Sequence, residues 1–205
     1  MALPLALMIV FALSRIPGML PQNFSAAYAL VFCAGIYFTG RAGWIFPLVT
    51  MLVTDIGLDI YYWKLGYFHL SSIAYQLVTY GGYAMIYALG RRFKPSSSFF
   101  SLLGGGILGA LLFYLITNTA SWLYNPEYPK NLAGLLKALT IGTQGWPQTW
   151  EFFRNTLLSG GLFTGFFVGA MKANEASESA KEKESTAEAP ETESEPEEAE
   201  AGTPT

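Results

Sequence analysis

Charged side chains are scarce through most of this 205-residue chain, and residue types on which many enzymes depend are almost absent. Only four acidic residues precede Lys172, and Cys33 and His69 are the sole cysteine and the sole histidine. A lone cysteine excludes an intramolecular disulfide, and inside an apolar run it is ordinarily a small buried hydrophobic residue. More than half of the chain is apolar. This composition is typical of a membrane protein.

The sequence also lacks the short motifs that mark common catalytic sites. It has no GxxxxGK[ST] phosphate loop, no HExxH, no CxxC and no GxSxG. We therefore predict that the protein is not an enzyme and needs no cofactor. Any transport against a gradient would draw its energy from an ion gradient or from another polypeptide. Once a membrane is considered, no basic patch remains that would indicate nucleic-acid binding.

The charges that are present divide sharply at Lys172. Residues 1–171 carry nine basic and four acidic residues, a formal charge of +5, whereas residues 172–205 carry three and eleven, a formal charge of −8. The second part has almost no large apolar residue, so it cannot offset the entropy lost on ordering. We predict a transmembrane domain over 1–171 and a disordered acidic tail over 172–205. Contact of the tail with a basic partner is the alternative.

Six segments approach the roughly 20 apolar residues that a helix needs to cross a bilayer. They are 2–20, 23–40, 42–63, 67–90, 99–117 and 152–171. The fold class predicted is therefore all-α, a polytopic bundle of six transmembrane helices. The first segment is interrupted by Ser14 and Arg15, and a cleaved signal peptide is its alternative. That alternative is disfavoured because no basic residue precedes Leu3 and no small-x-small site lies near Arg15.

The basic residues predict the orientation of these spans. Arg91, Arg92 and Lys94 form the densest basic cluster, in the short connection between the fourth and fifth spans. Short basic loops stay in the cytoplasm. We therefore predict a multi-pass inner-membrane protein with both termini cytoplasmic.

Residues 117–155 connect the fifth span to the sixth and are predicted to form a cap on the outer side. Amphipathic rings gather where hydrocarbon gives way to headgroups. The rings of this stretch belong to Trp122, Tyr124, Tyr128, Trp146 and Trp150.

A short interfacial helix is predicted within this cap. Leu132, Leu135, Leu136 and Leu139 recur at helical spacing, which is typical of an amphipathic helix lying in the interface. Gly142, Gly145 and Pro147 follow this helix and disfavour its continuation. The helix could therefore be a movable lid or a fixed plug.

Polar residues at the ends of five spans are expected on one side of the membrane, because neighbouring spans run antiparallel. We predict that they line a cavity for a small polar or aromatic solute. The candidate binding residues are Asn23, Asp55, Asp59, His69, Asn118, Trp122, Arg154 and Asn155.

The two aspartates are the most informative of these candidates. Asp55 and Asp59 are four residues apart and so share one helical face. Carboxylates in a membrane span are costly, which favours a functional role such as cation, proton or ligand binding. The alternative is that the two carboxylates are hydrated, lie at the level of the headgroups and pair with Lys64 or Arg154. A further alternative is that an intramembrane enzyme uses the two aspartates. A metal site is not predicted, because Asp55, Asp59 and His69 would supply only three ligands.

The remaining candidates have structural alternatives. Asn118 and Asn155 end and begin spans, where asparagine is a favoured cap. Trp122 could be a simple interface anchor.

Small residues at four-residue intervals mark faces on which helices can approach closely. Gly161, Gly165 and Gly169 form such a face in the last span, and Ala2 and Ala6 form one in the first. These faces serve either internal packing or the docking of a partner subunit.

Several of these features resemble the substrate-capture subunits, or S components, of energy-coupling factor vitamin transporters. The features are AlaxxxAla in the first helix, the PGMLPQNFSAA turn, six short spans and an outer polar pocket. QNFSAAYAL, TNTASWLY and FFRNTLL further resemble an uncharacterised family of small bacterial membrane proteins with that architecture. The resemblance covers about residues 1–172.

The resemblance implies capture of a small water-soluble ligand near the outer leaflet. It also implies that Ala2 and Ala6 dock onto a transmembrane coupling subunit driven by paired ATPases. We therefore expect a micronutrient-transport subunit, the alternative being a noncatalytic accessory or assembly subunit of a membrane complex.

Overall fold

A computed structural model describes residues 2–38, 40–66 and 71–187, without the side chains of residues 2, 42, 71–74 and 185–187. His69 and residues 188–205 of the predicted tail therefore lie outside the described residues. The described chain is helical throughout its regular elements, which confirms the all-α prediction. The helices are α1 Ala2–Ser14, α2 Ala27–Tyr37, α3 Ala42–Lys64, α4 Ser71–Gly90, α5 Phe99–Tyr124, α6 Leu132–Thr140 and α7 Thr149–Ala187.

The prediction of six clear membrane spans is wrong. Among the described helices, α3, α5 and α7 are long and apolar enough to cross a bilayer, while α1 and α2 are apolar but short. At 1.5 Å per residue, α1 and α2 are only about 20 and 17 Å long, against a hydrocarbon core of about 30 Å. The chain is thus a helical protein suited to a multi-pass membrane location. Its orientation stays a prediction.

The helix α2 forms the centre of the bundle. Every residue from Ala26 to Ile36 is buried. A helix that is apolar on all sides must be covered on all sides, and α2 packs against α1, α3, α4 and α5. The predicted span 23–40 begins late because residues 22–26 form a turn, in which Asn23 has a φ of +59°.

Glycines set the closest helix crossings. A Cβ on Gly90 of α4 would lie 2.4 Å from the carbonyl oxygen of Phe32 and 3.2 Å from the Cα of Gly35, both on α2. A Cβ on Gly106 of α5 would lie 2.2 Å from the Thr164 hydroxyl oxygen on α7. The first crossing brings the backbones of α2 and α4 into near contact, and the second packs the Thr164 side chain of α7 directly against Gly106 of α5.

The chain divides into two units, residues 1–171 and 172–205. In the second unit α7 continues to Ala187, and the side chains of residues 173–184 are exposed. This differs from the disorder predicted for residues 172–187. Alanine, glutamate and lysine favour helix, and extending an existing helix avoids the cost of nucleation. For residues 188–205 disorder stays a prediction.

Candidate functional site

The carboxylate of Asp55 is the centre of a charged cluster between three helices. Arg15, which follows α1, donates from Nη2 to Asp55 Oδ1, and the Tyr80 hydroxyl of α4 donates to Asp55 Oδ2. The side chains of Arg15 and Asp55 are only 17% and 12% exposed. Asp55 thus pairs with Arg15, not with Lys64 or Arg154 as the structural alternative supposed.

Asp59 lies one helical turn beyond Asp55 and also reaches α4. The Gln76 amide donates to Asp59 Oδ2 at 2.9 Å. Asp55–Tyr80 and Asp59–Gln76 are therefore two successive bridges between α3 and α4. Within the described ranges, no three histidine, cysteine or acidic residues lie close enough together to hold a metal ion.

A pocket of about 250 Å³ lies beside these bridges, between α2, α3 and α4. Its walls are almost entirely apolar, and four of its nine residues are aromatic. The lining residues are Val31, Trp44, Pro47, Leu48, Met51, Tyr80, Tyr83, Ala84 and Tyr87. Apolar walls with a few convergent polar groups are the usual make-up of a small-molecule site.

The ring of Tyr83 is held in place from behind the pocket. It stacks on Phe113 of α5 with a centroid distance of 4.8 Å, and Phe113 in turn lies 5.0 Å from the ring of Tyr28 on α2. All three residues are buried. This wall of the pocket is therefore preformed by packing between α2, α4 and α5.

The bridges connect the pocket to the charged cluster. Tyr80 lines the pocket with its ring and bonds Asp55 with its hydroxyl. Arg15 lies over Phe11 at 5.6 Å, and its Nε is buried with no hydrogen-bond partner among the described residues. An unpaired buried guanidinium nitrogen is unusual.

Arg154 and Asn155, two predicted binding residues of the cap, bond to groups outside the charged cluster around Asp55. Asn155 Nδ2 donates to the Gln22 carbonyl at 2.9 Å, and Arg154 lies 3.4 Å from Asn155 Oδ1 and 5.2 Å above the Trp150 ring. The structure thus brings Arg154 and Asn155 together and ties α7 to the turn before α2. His69 lies outside the described residues, and none of the other seven predicted binding residues lines the pocket. Their role in binding stays a prediction.

Asn118, Trp122 and Asn23 make local bonds. Asn118 Nδ2 donates to the Tyr114 carbonyl at 2.9 Å, one turn back on α5, and Trp122 Nε1 donates to the Pro129 carbonyl at 2.8 Å. The Tyr28 hydroxyl donates to the Asn23 carbonyl at 3.4 Å. These bonds belong to helix and loop structure.

The predicted short helix of the cap is present as α6. Its buried residues are Gly134 and Ala138, whereas Leu132 and Leu136 of the predicted leucine stripe are 71% and 53% exposed. The hydroxyl of Tyr114 on α5 donates to the Leu139 carbonyl at 2.6 Å and so fastens α6 to the bundle. Its interfacial position stays a prediction.

Beside α6, Tyr128 is a buried residue of the cap. Lys137 lies 6.0 Å from the centroid of its ring. Burial raises the pKa of the Tyr128 hydroxyl above its ordinary value.

The predicted docking residues have mixed surroundings. Gly161 and Gly165 face Ile107 and Leu103 of α5 at ordinary contact distance, whereas nothing lies within 4 Å of a Cβ built on Gly169. Ala6 is exposed, and the side chain of Ala2 is not described. Docking by these residues stays a prediction.

Sequence reasoning missed Arg15, Gln76, Tyr80 and Tyr83. Gln76, Tyr80, Tyr83 and Tyr87 are spaced by four, three and four residues, which places them on one face of a helix. That periodic polar and aromatic face was visible in the sequence. Arg15 was visible as a base at the end of an apolar helix with no acid nearby in sequence, a position that in a membrane favours pairing with a distant acid.

Comparisons with known proteins give a family but no function. No curated protein and no solved structure matches the chain. The comparisons therefore show no link to S components. The chain belongs to DUF6580, a family of unknown function whose family model matches residues 1–182.

Proposed function

We propose that the protein captures a small, largely apolar ring molecule in the pocket between α2, α3 and α4. The observation that carries this proposal is the pocket itself, with Trp44, Tyr80, Tyr83 and Tyr87 in its walls. Aromatic rings offer large, rigid faces that favour flat ligands. The fixed stack behind Tyr83 supports a ligand site that exists before the ligand arrives.

The ligand reaches this pocket from the membrane. Trp44 at the pocket edge is 49% exposed, and Ala84 is exposed as well. Around a bundle of apolar helices, an exposed edge faces lipid. This route suits a ligand that partitions into a bilayer, in place of the water-soluble solute expected on the outer side.

We further propose that capture serves transport of this molecule. In that role the protein is a noncatalytic binding subunit of an inner-membrane system, working with a transmembrane coupling subunit and its ATPases. This part of the proposal rests on the sequence features that resemble S components, Ala2 and Ala6 in the first helix and the PGMLPQNFSAA turn. If it holds, intact cells producing the protein accumulate a labelled pocket ligand, and cells producing a variant with a blocked pocket do not.

The alternative is a noncatalytic accessory subunit of a membrane complex. It is favoured by the local hydrogen bonds of Asn118, Trp122 and Asn155, which leave these polar groups engaged within the chain. Under this alternative the pocket has no ligand, and filling it leaves the function of the complex unchanged.

Thermal unfolding with small aromatic probes distinguishes the two. Toluene is tested on the purified protein, on Ala84→Phe, which fills the pocket, and on Ala88→Phe. Ala88 is an exposed residue of the same helix outside the pocket lining. A ligand at 100 times its Kd stabilises the folded state by about 2.7 kcal/mol. We expect toluene to raise the Tm of the wild type and of Ala88→Phe but not of Ala84→Phe. Equal shifts in all three proteins, or none, would overturn the proposal.

A further inference from the structure

We infer that the ligand of this pocket is an anionic amphiphile and that Arg91 determines the specificity for its charge. The apolar ring of the ligand lies between α2, α3 and α4. Its carboxylate or phosphate group pairs with Arg91, and Arg41 is a second cation at the same end. This inference rests on the proposed function, because it names the charged end of the same ligand.

Arg91 continues the face of α4 that lines the pocket. The residues of that face are Tyr80, Tyr83, Ala84 and Tyr87. The Arg91 N–H donates to the Tyr87 carbonyl at 3.0 Å, so residue 91 still follows the helix. At about 100° per residue, Arg91 lies about 30° around the helix from the mean direction of these four residues and about 6 Å beyond Tyr87. Helical side chains lean toward the N-terminus of their helix, so that of Arg91 leans back toward the pocket.

Arg41 takes a similar position on α3. Trp44, Leu48 and Met51 of the pocket wall recur at intervals of four and three residues, and Arg41 precedes Trp44 by three. Its φ of −67° and ψ of −32° already belong to the helix. The two bridges show that α3 and α4 run antiparallel, so Arg41 and Arg91 lie at the same end of the pocket. Arg41 leans away from the pocket, because this end is the N-terminus of α3. It is therefore the lesser of the two cations.

The two arginines lack a counterion among the described residues. Both side chains are exposed, and neither has a hydrogen-bond or ion-pair partner within the described ranges. The nearest acid on α3 is Asp55, which follows Arg41 by 14 positions and is paired with Arg15. Glu127 and Glu151 belong to the cap, at the far end of α5. This end of the pocket therefore carries two uncompensated positive charges.

The two ends of the pocket differ in what they accept. At one end the carboxylate of Asp55 already accepts from Arg15 and Tyr80, and a second anion there would be repelled. At the other end the wall is open, since Trp44 is 49% exposed. A guanidinium pairs with a carboxylate or a phosphate through two parallel hydrogen bonds, whereas it repels an ammonium. An apolar ring with an anionic end therefore fits the pocket and the arginines together.

Three ring compounds that differ mainly in their end group test the inference: 4-phenylbutyrate, 4-phenylbutanamide and 4-phenylbutylammonium. Their Kd values are measured in a nonionic detergent for the wild type, Arg91→Gln and Arg92→Gln. Arg92→Gln is the matched control, because Arg92 is also exposed but lies about 130° around the helix from the pocket-lining face. Each compound is compared between proteins, so its partition into micelles cancels.

We expect Arg91→Gln to weaken the binding of 4-phenylbutyrate about fivefold, the most that an exposed ion pair usually contributes. The Kd of 4-phenylbutanamide should stay nearly unchanged, and 4-phenylbutylammonium should bind more tightly than to the wild type. Arg92→Gln should have little effect on any of the three. Arg41→Gln should weaken 4-phenylbutyrate less than Arg91→Gln does.

The opposite outcomes are equally distinct. Equal losses for 4-phenylbutyrate in Arg91→Gln and Arg92→Gln, or no loss in either, would show that Arg91 does not bind the anionic group, although the pocket still binds rings. Displacement of 4-phenylbutyrate by an equal concentration of inorganic phosphate would show a site for free anions instead of an amphiphile. If no compound binds the wild type, or if Ala84→Phe leaves all binding intact, the proposed function itself fails.

Two further measurements cover the case in which Arg91→Gln does not fold. Arg91→Lys keeps the positive charge and should retain most of the preference for 4-phenylbutyrate over 4-phenylbutanamide. In the wild type, added salt should reduce that preference, because it screens exposed charges. A preference that is absent from the wild type, or that salt leaves unchanged, would contradict the inference.

Discussion

Asp55 bonds to Arg15 and Tyr80 at a mostly buried position, where the charge of Asp55 or of Arg15 would be costly without the other. Its carboxylate accepts from Arg15 and Tyr80, and its side chain is 12% exposed. A mostly buried ion pair adds little net stability, but the loss of one partner leaves the other charge uncompensated. The pair therefore fixes which helices lie together at this point.

The first prediction follows from that asymmetry. Asp55→Asn leaves the charge of Arg15 without its counterion and should lower the free energy of unfolding by about 3–5 kcal/mol. The double variant Arg15→Met with Asp55→Leu removes both charges and should lose less than Asp55→Asn alone. Both are measured by equilibrium unfolding in mixed detergent micelles.

Asp59→Asn is the matched control for this prediction. Gln76 can still donate to an asparagine oxygen, so the loss should stay under about 1 kcal/mol. Equal losses for Asp55→Asn and Asp59→Asn, with no recovery in the double variant, would show that the Arg15–Asp55 pair has no special role.

The sequence predicted which residues share a face of one helix, but not which residues of other helices they contact. The spacing of Asp55 and Asp59 gave one shared face, and both do reach α4. The base that pairs with Asp55 is 40 positions away in sequence, and helical periodicity carries no information about which helices are neighbours. From the sequence, Arg15 therefore had no assigned partner, although it completes the cluster.

At the level of helices, burial rather than hydropathy distinguishes α2 from the membrane spans. Its sequence is as apolar as a span, but its 11 residues are too short to cross a bilayer and are covered by four neighbouring helices. Apolar composition shows that a helix avoids water. It does not show whether lipid or protein surrounds the helix, and the prediction of a span at α2 was wrong for this reason.

The reactivity of Cys33 tests the central position of α2. Cys33 is 1% exposed and is the only cysteine, so maleimide labelling reports on this position alone. We expect no labelling of the native protein in detergent and complete labelling after denaturation. The control is Ser96→Cys in a Cys33→Ala background, at an exposed turn, which should label at once. Rapid labelling of native Cys33 would place α2 at the surface.

The crossing of α2 and α4 supplies a further prediction. Gly90→Ala would bring a methyl group to 2.4 Å from the Phe32 carbonyl, so the backbones must separate. We expect a loss of about 1–3 kcal/mol in the free energy of unfolding, typical of overpacking. The control is Gly81→Ala on the same helix, where a Cβ meets nothing within 4 Å. That variant should be neutral or gain up to about 1 kcal/mol from helix propensity. Similar effects of the two substitutions would contradict the close crossing.

On the scale of the whole molecule, the change in composition at Lys172 coincides with the division into two units. The second unit carries the acidic charge and has exposed side chains over residues 173–184. Nothing in its composition provides a core, so the first unit should fold without it. The boundary was predicted from composition alone, whereas the helix that continues past Lys172 depends on local propensity and on the helix already formed before Lys172.

Removal of residues 172–205 should therefore leave the Tm of the remaining protein almost unchanged, as expected for loss of exposed residues. Thermal unfolding in detergent measures this. A longer deletion from residue 162 also removes Phe167 and Val168, both 0% exposed, and should prevent stable folding. A fall of many degrees on removing residues 172–205 alone would show that the tail stabilises the first unit.

The central claim for the whole molecule is that the space between α2, α3 and α4 is a binding site. Its direct test is a crystal structure of the protein with 4-bromobenzamide, in which anomalous scattering locates the bromine atom. This claim predicts bromine in contact with the side chains that line the pocket, such as Met51 and Ala84. Bromine found only on the outer surface of the bundle, with the pocket unoccupied at saturating probe, would contradict it.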